Sequence, residues 1–202
     1  MSLSEEEGRA VVELARSAIE AHVKGERIRM LSWSSGFLSE ERGVFVTLST
    51  VEQGPDRLRG CIGFPYPVKK LGEGIQEAAI AAASEDPRFP PVRPGELGAI
   101  VVEVSVLTTP KPLEAKRRVD VQKMVRIGKD GLIVSRSYTS GLLLPQVATE
   151  FRFDQQEFLS QACLKAGLMP DAWLDQETKL HVFQAEVFVE KSPRGDVVRE
   201  EY

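Results

Sequence analysis

The clearest strand in the chain is the segment Ala99–Leu107, which reads AIVVEVSVL. Side chains alternate between the two faces of a strand, so the branched residues at the even positions 100–106 share one face. Because these side chains are apolar, we expect this face to pack against a hydrophobic core. The opposite face carries Glu103 and Ser105, two polar side chains inside an apolar strand.

Two further strands are predicted upstream, at Gly43–Val51 and Leu58–Phe64. The intervening residues 53–56 read Gln-Gly-Pro-Asp, which is turn chemistry, so the two strands are expected to form a hairpin. Pro65 and Pro67 then end the second strand because proline cannot donate to the ladder.

The remaining elements are predicted from capping signals and apolar periodicity. Ser4 with Glu7 and Asp154 with Glu157 form capping boxes that open helices. The predicted helices are 4–25, 71–85, 146–152 and 155–166, and the later strands are 132–137, 142–146 and 180–189. Hairpins mixed with helices, without strict alternation, predict an α+β fold with a mainly antiparallel sheet. The charged tail 191–202 is expected to be loose.

The second strand of the hairpin contains the chemically most informative residues, in the hexapeptide Leu58-Arg59-Gly60-Cys61-Ile62-Gly63. Alternation places Arg57, Arg59 and Cys61 on one face, where neighbouring guanidiniums are expected to lower the pKa of the thiol. The flanking glycines let another backbone or a ligand approach closely. The alternative is a buried cysteine that acts as a small apolar residue.

Three other residues are candidates for the same site. Glu103 is either the general acid and base or the ion-pair partner of Arg57 or Arg59. Ser105 shares its face. Arg88 lies in the proline-rich loop 86–91, where it is either an anion clamp or the partner of Asp86 or Glu85.

Composition narrows the function class. The chain has 202 residues and a net charge of −4, so it is not expected to bind nucleic acid generally. No signal peptide and no apolar run of membrane-spanning length is seen, which favours the cytoplasm. The two cysteines and two histidines are too scattered for a metal site, and nucleotide-binding motifs are missing, so no cofactor is expected. A dyad of Cys61 with His181 stays open without support from spacing.

The chain resembles the AMMECR family, named for the chromosomal region of Alport syndrome, midface hypoplasia and elliptocytosis. Segments that match in family order cover almost the whole chain. They are 43–48, the hexapeptide 58–63, 86–92, 103–107, 127–132, 141–148 and 163–168. The resemblance implies one α+β domain over residues 1–202, with a larger lobe and a smaller second lobe.

The resemblance also implies that the hexapeptide is an active or binding site. Related domains occur fused to or beside Memo-like and radical S-adenosylmethionine domains, which implies a partner of that kind. We therefore expect a cysteine-centred enzyme for a small anionic substrate, or else a non-catalytic domain that binds an anionic ligand, a protein partner or RNA. The expected catalytic residues are Cys61, Arg59 and Glu103, and the expected ligand-binding residues are Arg57, Gly60, Ile62, Gly63, Arg88 and Ser105.

Overall fold

The computed structural model describes residues 2–26, 36–51 and 57–200. It divides the chain into two compact units: unit 1 is the part before Thr108 and after Ala185, and unit 2 is Thr108–Ala185. The helices are α1 (Glu5–Val23), α2 (Leu71–Ser84), α3 (Pro145–Glu150) and α4 (Gln155–Lys165). The strands are β1 (Gly43–Thr50), β2 (Leu58–Phe64), β3 (Ile100–Leu107), β4 (Lys111–Pro112), β5 (Gly131–Arg136), β6 (Thr139–Leu143), β7 (Lys179–Phe183), β8 (Ala185–Glu190) and β9 (Val197–Glu200).

Unit 1 is built on a five-stranded sheet in the order β2-β1-β3-β8-β9. β1 pairs antiparallel with both β2 and β3, so it lies between the two strands that carry the predicted site. Among the strands that the structure describes, β2 lies at the edge of this sheet. The predicted hairpin of β1 and β2 is confirmed, while its predicted turn, 53–56, falls outside the described residues.

One face of this sheet packs against α1 and α2. The core combines alternate residues of the strands, such as Val46 and Val104, with helix residues such as Ile19, Ile75 and Ala79. α1 begins at the predicted capping box, in which the Ser4 hydroxyl accepts the Glu7 N–H and the Glu7 carboxylate accepts the Ser4 N–H. The alanines of α2 allow its backbone to lie close to the sheet.

Unit 2 is built on a second sheet, in the order β4-β7-β5-β6, in which neighbouring strands are antiparallel. α4 lies on this sheet and contributes Phe158, Leu159 and Ala162 to a separate apolar core. Cys163 is fully buried in that core. The predicted α+β class with antiparallel sheets is therefore confirmed.

Two predicted strands differ from the structure. The continuous strand 180–189 is instead β7 and β8, which break at Gln184 and join different sheets. Apolar alternation runs through both strands and does not report which sheet a strand joins. The strand predicted at 142–146 is also displaced, because it spans Thr139–Leu143 and Pro145 begins α3, where its missing N–H costs no helical bond.

The prediction of a loose tail from residue 191 is wrong for β9. Val197–Glu200 pairs with β8, and Arg199 holds it through ion pairs to Glu186 and Glu5. The charged residues of this segment make it resemble a surface tail in the sequence, although Val197 packs against the unit 1 core.

Candidate active site on the unit 1 sheet

The predicted site residues meet on the face of the unit 1 sheet opposite α1 and α2. Thr47 of β1 is in register with Cys61 on one side and with Glu103 on the other. The next row in the same direction has Phe45 between Gly63 and Ser105. Residues in register on neighbouring strands have Cβ atoms about 5 Å apart. We call the residues Cys61, Thr47, Glu103, Phe45 and Ser105 the cysteine face.

Cys61 is half-buried and is held by three polar contacts. The Thr47 hydroxyl donates to Sγ at 3.4 Å. The Cys61 N–H donates to Oδ2 of Asp86 at 2.8 Å, and Nη2 of Arg88 donates to the Cys61 carbonyl at 3.4 Å. Among the residues that the structure describes, the sulphur is therefore bonded to a threonine and not to a histidine.

The expected lowering of the thiol pKa is wrong. Burial raises the pKa of the Cys61 thiol above its ordinary value. The Thr47 hydrogen bond and the Arg88 charge act to lower it, whereas the carboxylates of Glu103 and Asp86 raise it further. The thiol is therefore protonated at neutral pH, and nucleophilic chemistry would need a base.

The two arginines expected beside the sulphur have other positions. Arg57 is exposed just before β2. Arg59 forms a two-pronged ion pair with Glu96, at 3.0 and 3.2 Å. Leu48 is in register with Gly60 and Ser49 with Leu58, so Arg59 is the extra residue of a β-bulge. A bulge redirects side chains, which explains why simple alternation failed here.

Arg88 is the guanidinium whose charge acts on the thiol, and its partner is Asp86 rather than Glu85. Nε and Nη2 of Arg88 donate to the two Asp86 oxygens at 2.9 and 2.6 Å. The Asp86 side chain is only 2% exposed, whereas that of Arg88 is 49% exposed. The hydrogen bonds from Arg88 hold the pKa of Asp86 far below its ordinary value, so this carboxylate is charged.

The loop that carries these two residues is fixed at both ends. The Val92 N–H donates to the Ala83 carbonyl at 2.8 Å, and the Arg88 N–H donates to Oδ1 of Asp86 at 3.1 Å in a side-chain turn. Pro87, Pro90 and Pro91 restrict the backbone between them. The loop therefore presents Arg88 at a defined position beside the edge strand.

The remaining predicted ligand-binding residues of β2 have structural contacts. A Cβ on Gly60 would lie 2.1 Å from the Ala82 carbonyl oxygen of α2, and one on Gly63 would lie 2.3 Å from the Val44 carbonyl oxygen. Ile62 packs against the unit 1 core. Gly60 and Ile62 therefore face the helices, and only Gly63 and Cys61 belong to the cysteine side of β2.

Glu103 and Ser105 of β3 lie where the sequence predicted them. The Ser105 hydroxyl is fully buried and lies 3.5 Å from Oε1 of Glu103. Glu103 does not form the ion pair with Arg59 that was one alternative, since Arg59 binds Glu96. Its carboxylate is instead a charge that acts on Cys61 across β1.

Sequence reasoning missed Thr47, Phe45 and Asp86 as members of the site. The first two occupy odd positions of β1, and only the strand register shows that they lie between Cys61 and β3. Asp86 carried a signal, since Asp-Pro-Arg is a typical side-chain turn. Its bond to the main chain of Cys61 joins residues 25 positions apart and has no local signature.

No group of three His, Cys, Asp or Glu residues within 2–26, 36–51 and 57–200 is arranged to hold a metal ion. Over the same residues, no helix combines the length and apolarity needed to cross a lipid bilayer. Both cysteines are free thiols.

The chain matches known proteins over almost its whole length. The AMMECR1 family model matches residues 12–188. A protein of Methanothermobacter thermautotrophicus is 52% identical over 93% of this chain and 96% of its own length. A protein of Thermococcus gammatolerans is 51% identical over 98% and 97%. The crystal structure of the uncharacterised protein PH0010 from Pyrococcus horikoshii superposes with a TM-score of 0.93, at 46% identity and 99% coverage of both chains.

Proposed function

The chain belongs to the AMMECR1 family, and we propose its function from the geometry of the site itself. The cysteine face binds a small anionic electrophile, and Cys61 attacks it as a nucleophile. The row of Cys61, Thr47 and Glu103 supports this proposal, because it aligns a thiol, a hydroxyl and a carboxylate across three adjacent strands. The two free thiols fit a reducing compartment such as the cytoplasm.

The chemical step is an addition or displacement at carbon. Sγ of Cys61 forms a bond to the electrophilic carbon, and the electron pair of the broken bond leaves with the substrate oxygen or leaving group. The Thr47 hydroxyl, which donates to Sγ in the structure, turns to accept the thiol proton and passes its own proton to the Glu103 carboxylate of the neighbouring strand. Water then attacks the same carbon, and the electron pair of the sulphur–carbon bond returns to Sγ. Glu103 gives its proton back to the thiolate, and the proton that the water loses is released to the solvent.

Arg88 supplies the recognition of negative charge. Its Nε and Nη2 are bonded to Asp86, while Nη1 has no bonded acceptor among the described residues. Half of its side chain is exposed. One anionic oxygen of a ligand can therefore bind Nη1 next to the thiol. Arg59 acts indirectly, since its ion pair with Glu96 fixes the bulge that precedes Cys61.

Alkylation kinetics test this proposal. Rates of Cys61 modification by anionic iodoacetate and neutral iodoacetamide would be measured by mass spectrometry over a range of pH, with buried Cys163 as the internal control. The ratio of the iodoacetate rate to the iodoacetamide rate should be higher in the native protein than in the denatured protein. This ratio should fall in Arg88→Gln. It should not fall in the control Arg126→Gln, which breaks a similar Arg–Asp pair in unit 2. Native Cys61 as unreactive as Cys163, or an unchanged ratio in Arg88→Gln, would overturn the proposal.

The base is tested separately. Glu103→Gln removes a charge that raises the thiol pKa, so the alkylation profile should shift to lower pH. Glu177→Gln, which removes a partner of Arg136 in unit 2, should leave the profile in place. The same shift in both variants would show that Glu103 has no specific link to Cys61.

The raised thiol pKa favours a second candidate, a non-catalytic site that recognises an anionic group of a ligand, protein or RNA. In that case Arg88 supplies the contact and Cys61 fills space. An anionic compound that protects Cys61 from iodoacetamide distinguishes the two. Its binding to Cys61→Ser, measured by calorimetry, survives if the site only binds, and a covalent adduct on wild-type Cys61 supports the enzyme.

A further inference from the structure

We propose that Asp86 is the positioning residue of this site: its buried carboxylate holds the main chain of Cys61 and the guanidinium of Arg88 as one hydrogen-bonded unit. This inference rests on the function proposed above and assigns a role to a residue that takes no part in the chemical step. Asp86 would set where the thiol and the anion-binding nitrogen lie relative to each other.

The contacts of Asp86 support this role. Oδ2 accepts the Cys61 N–H at 2.8 Å and Nη2 of Arg88 at 2.6 Å. Oδ1 accepts the main-chain N–H of Arg88 at 3.1 Å and its Nε at 2.9 Å. Four N–H groups therefore converge on one carboxylate, and each belongs to either Cys61 or Arg88. A charged group that is 2% exposed needs such partners to remain buried.

The position of Cys61 on an edge strand makes this contact informative. Within residues 2–26, 36–51 and 57–200, β2 pairs only with β1, so alternate residues of β2 point their N–H and C=O away from the sheet. At Cys61 these groups bind the Asp86 carboxylate and the Arg88 guanidinium. The two side chains thus take the places that a carbonyl and an amide of an added strand would occupy. They close the edge at the nucleophile and fix its backbone.

Asp86 also contributes to the electrostatics of the thiol. The groups that act on Cys61 are Arg88 and Asp86 from the loop, Glu103 from β3 and the Thr47 hydroxyl from β1. Asp86 is one of the two carboxylates that raise the thiol pKa. It also forms an ion pair with Arg88, whose charge lowers the thiol pKa. Neutralising Asp86 should therefore make the thiol more acidic, although it removes a buried ion pair.

Asp86→Asn tests the inference, and Asp130→Asn is the matched control. Asp130 in unit 2 has a side chain 3% exposed that accepts the main-chain N–H, Nε and Nη2 of Arg126, so it resembles Asp86 without contacting Cys61. We expect the alkylation profile of Cys61 to shift to lower pH in Asp86→Asn alone, with a rate at pH 7 roughly threefold higher. The ratio of the iodoacetate rate to the iodoacetamide rate should fall, because Asp86 no longer holds Arg88 beside the thiol.

Equal profiles in the two variants would overturn the inference, because a loss of stability alone would expose both cysteines in either variant. Cys163 reactivity reports such a loss directly. A second measurement needs no variant: in wild-type hydrogen exchange, the Cys61 amide should exchange at least about tenfold more slowly than the Gly63 amide, which points the same way along β2. Similar exchange rates of the two amides would show that Asp86 does not hold the main chain of Cys61. The proposed function is contradicted by a different result, an unchanged ratio of alkylation rates in Arg88→Gln. The two proposals are therefore tested by different variants.

Discussion

At the scale of single residues, contacts and not sequence spacing decide the electrostatics of Cys61. Two arginines lie within four positions of it in the chain, yet Arg59 binds Glu96 and Arg57 is exposed. Arg88, 27 positions away, is the cation that acts on the thiol. Since burial outweighs this one charge, the pKa of the thiol is raised, and the proposed nucleophilic attack would require Glu103 as a base.

Gly60→Ala should destabilise the protein by about 1–3 kcal/mol, because the added methyl would meet the Ala82 carbonyl oxygen at 2.1 Å. Urea denaturation measures the change. Gly98→Ala is the control, since a Cβ there has no neighbour within 4 Å, and it should change stability by less than about 0.5 kcal/mol. Equal effects would mean that α2 yields to the methyl group.

Asp86 also gives the protein a defined pH dependence. Its pKa is lower in the folded state than the ordinary value of 3.8, so the unfolded chain binds more protons between the two values. The stabilisation is therefore complete above about pH 4–5 and is lost as the pH falls below that value. The free energy of unfolding of Asp86→Asn should decline less between pH 5 and pH 2 than that of the wild type.

A matched substitution at an exposed carboxylate checks this slope. Asp171→Asn lies on the surface of unit 2, so its acid decline should equal that of the wild type. If Asp86→Asn also retains the full decline, the folded-state pKa of Asp86 is not lowered.

At the scale of elements, β9 shows how a polar segment becomes structural. Arg199 donates to Glu186 at 2.8 Å, to Glu5 at 3.1 Å and to the Leu3 carbonyl, and its guanidinium lies 4.6 Å from the Phe188 ring centroid. These contacts connect β9 with β8 and with the start of α1. Charged side chains therefore hold β9 in place, whereas the prediction of a strand from sequence relies on apolar alternation.

Arg199→Ala should lower the free energy of unfolding by about 1–3 kcal/mol, through the loss of partly buried charged hydrogen bonds and a cation–π contact. Chemical denaturation monitored by circular dichroism measures it. Arg194→Ala removes a more exposed ion pair to Glu20 and should cost less than about 1 kcal/mol. A loose tail would instead give small, equal effects for both variants.

The elements that the sequence predicts correctly are those with local signals. The capping boxes of α1 and α4 and the alternation of β3 are read within a few residues. The β-bulge at Arg59, the assignment of β7 and β8 to different sheets and the carboxylate of Asp86 on Cys61 depend on partners distant in the chain. For the same reason Cys61, Glu103 and Arg88 could be predicted as candidates, but Thr47 and Asp86 could not be placed among them.

At the scale of the whole molecule, the described part of the chain forms two hydrophobic cores. One combines α1 and α2 with the first sheet, and the other combines α4 with the second. Phe158 is fully buried in the second core, so Phe158→Ala should cost about 3–5 kcal/mol there. Hydrogen exchange should then rise mainly in β5, β6 and β7, and less in β1 and β3.

Phe151→Ala is the control for this prediction, because Phe151 is 62% exposed and should change exchange rates little. A uniform rise across both sheets in Phe158→Ala would show that the two cores unfold as one cooperative unit.

Unit 2 leaves the chain of unit 1 after β3 and returns to it at β8, and these two strands are neighbours in one sheet. Its own two ends are tied together, since the Thr108 N–H donates to the Gln184 carbonyl and the Gln184 N–H donates to the Thr108 hydroxyl, both at 2.9 Å. Unit 2 is thus an insertion between two neighbouring strands of unit 1, and its first and last residues are hydrogen-bonded to each other. A shortened gene that joins residue 107 to residue 186 through a few glycines should still yield a sheet with its strands in their original order, and such a miniature protein would carry Cys61, Thr47, Asp86, Arg88 and Glu103 together.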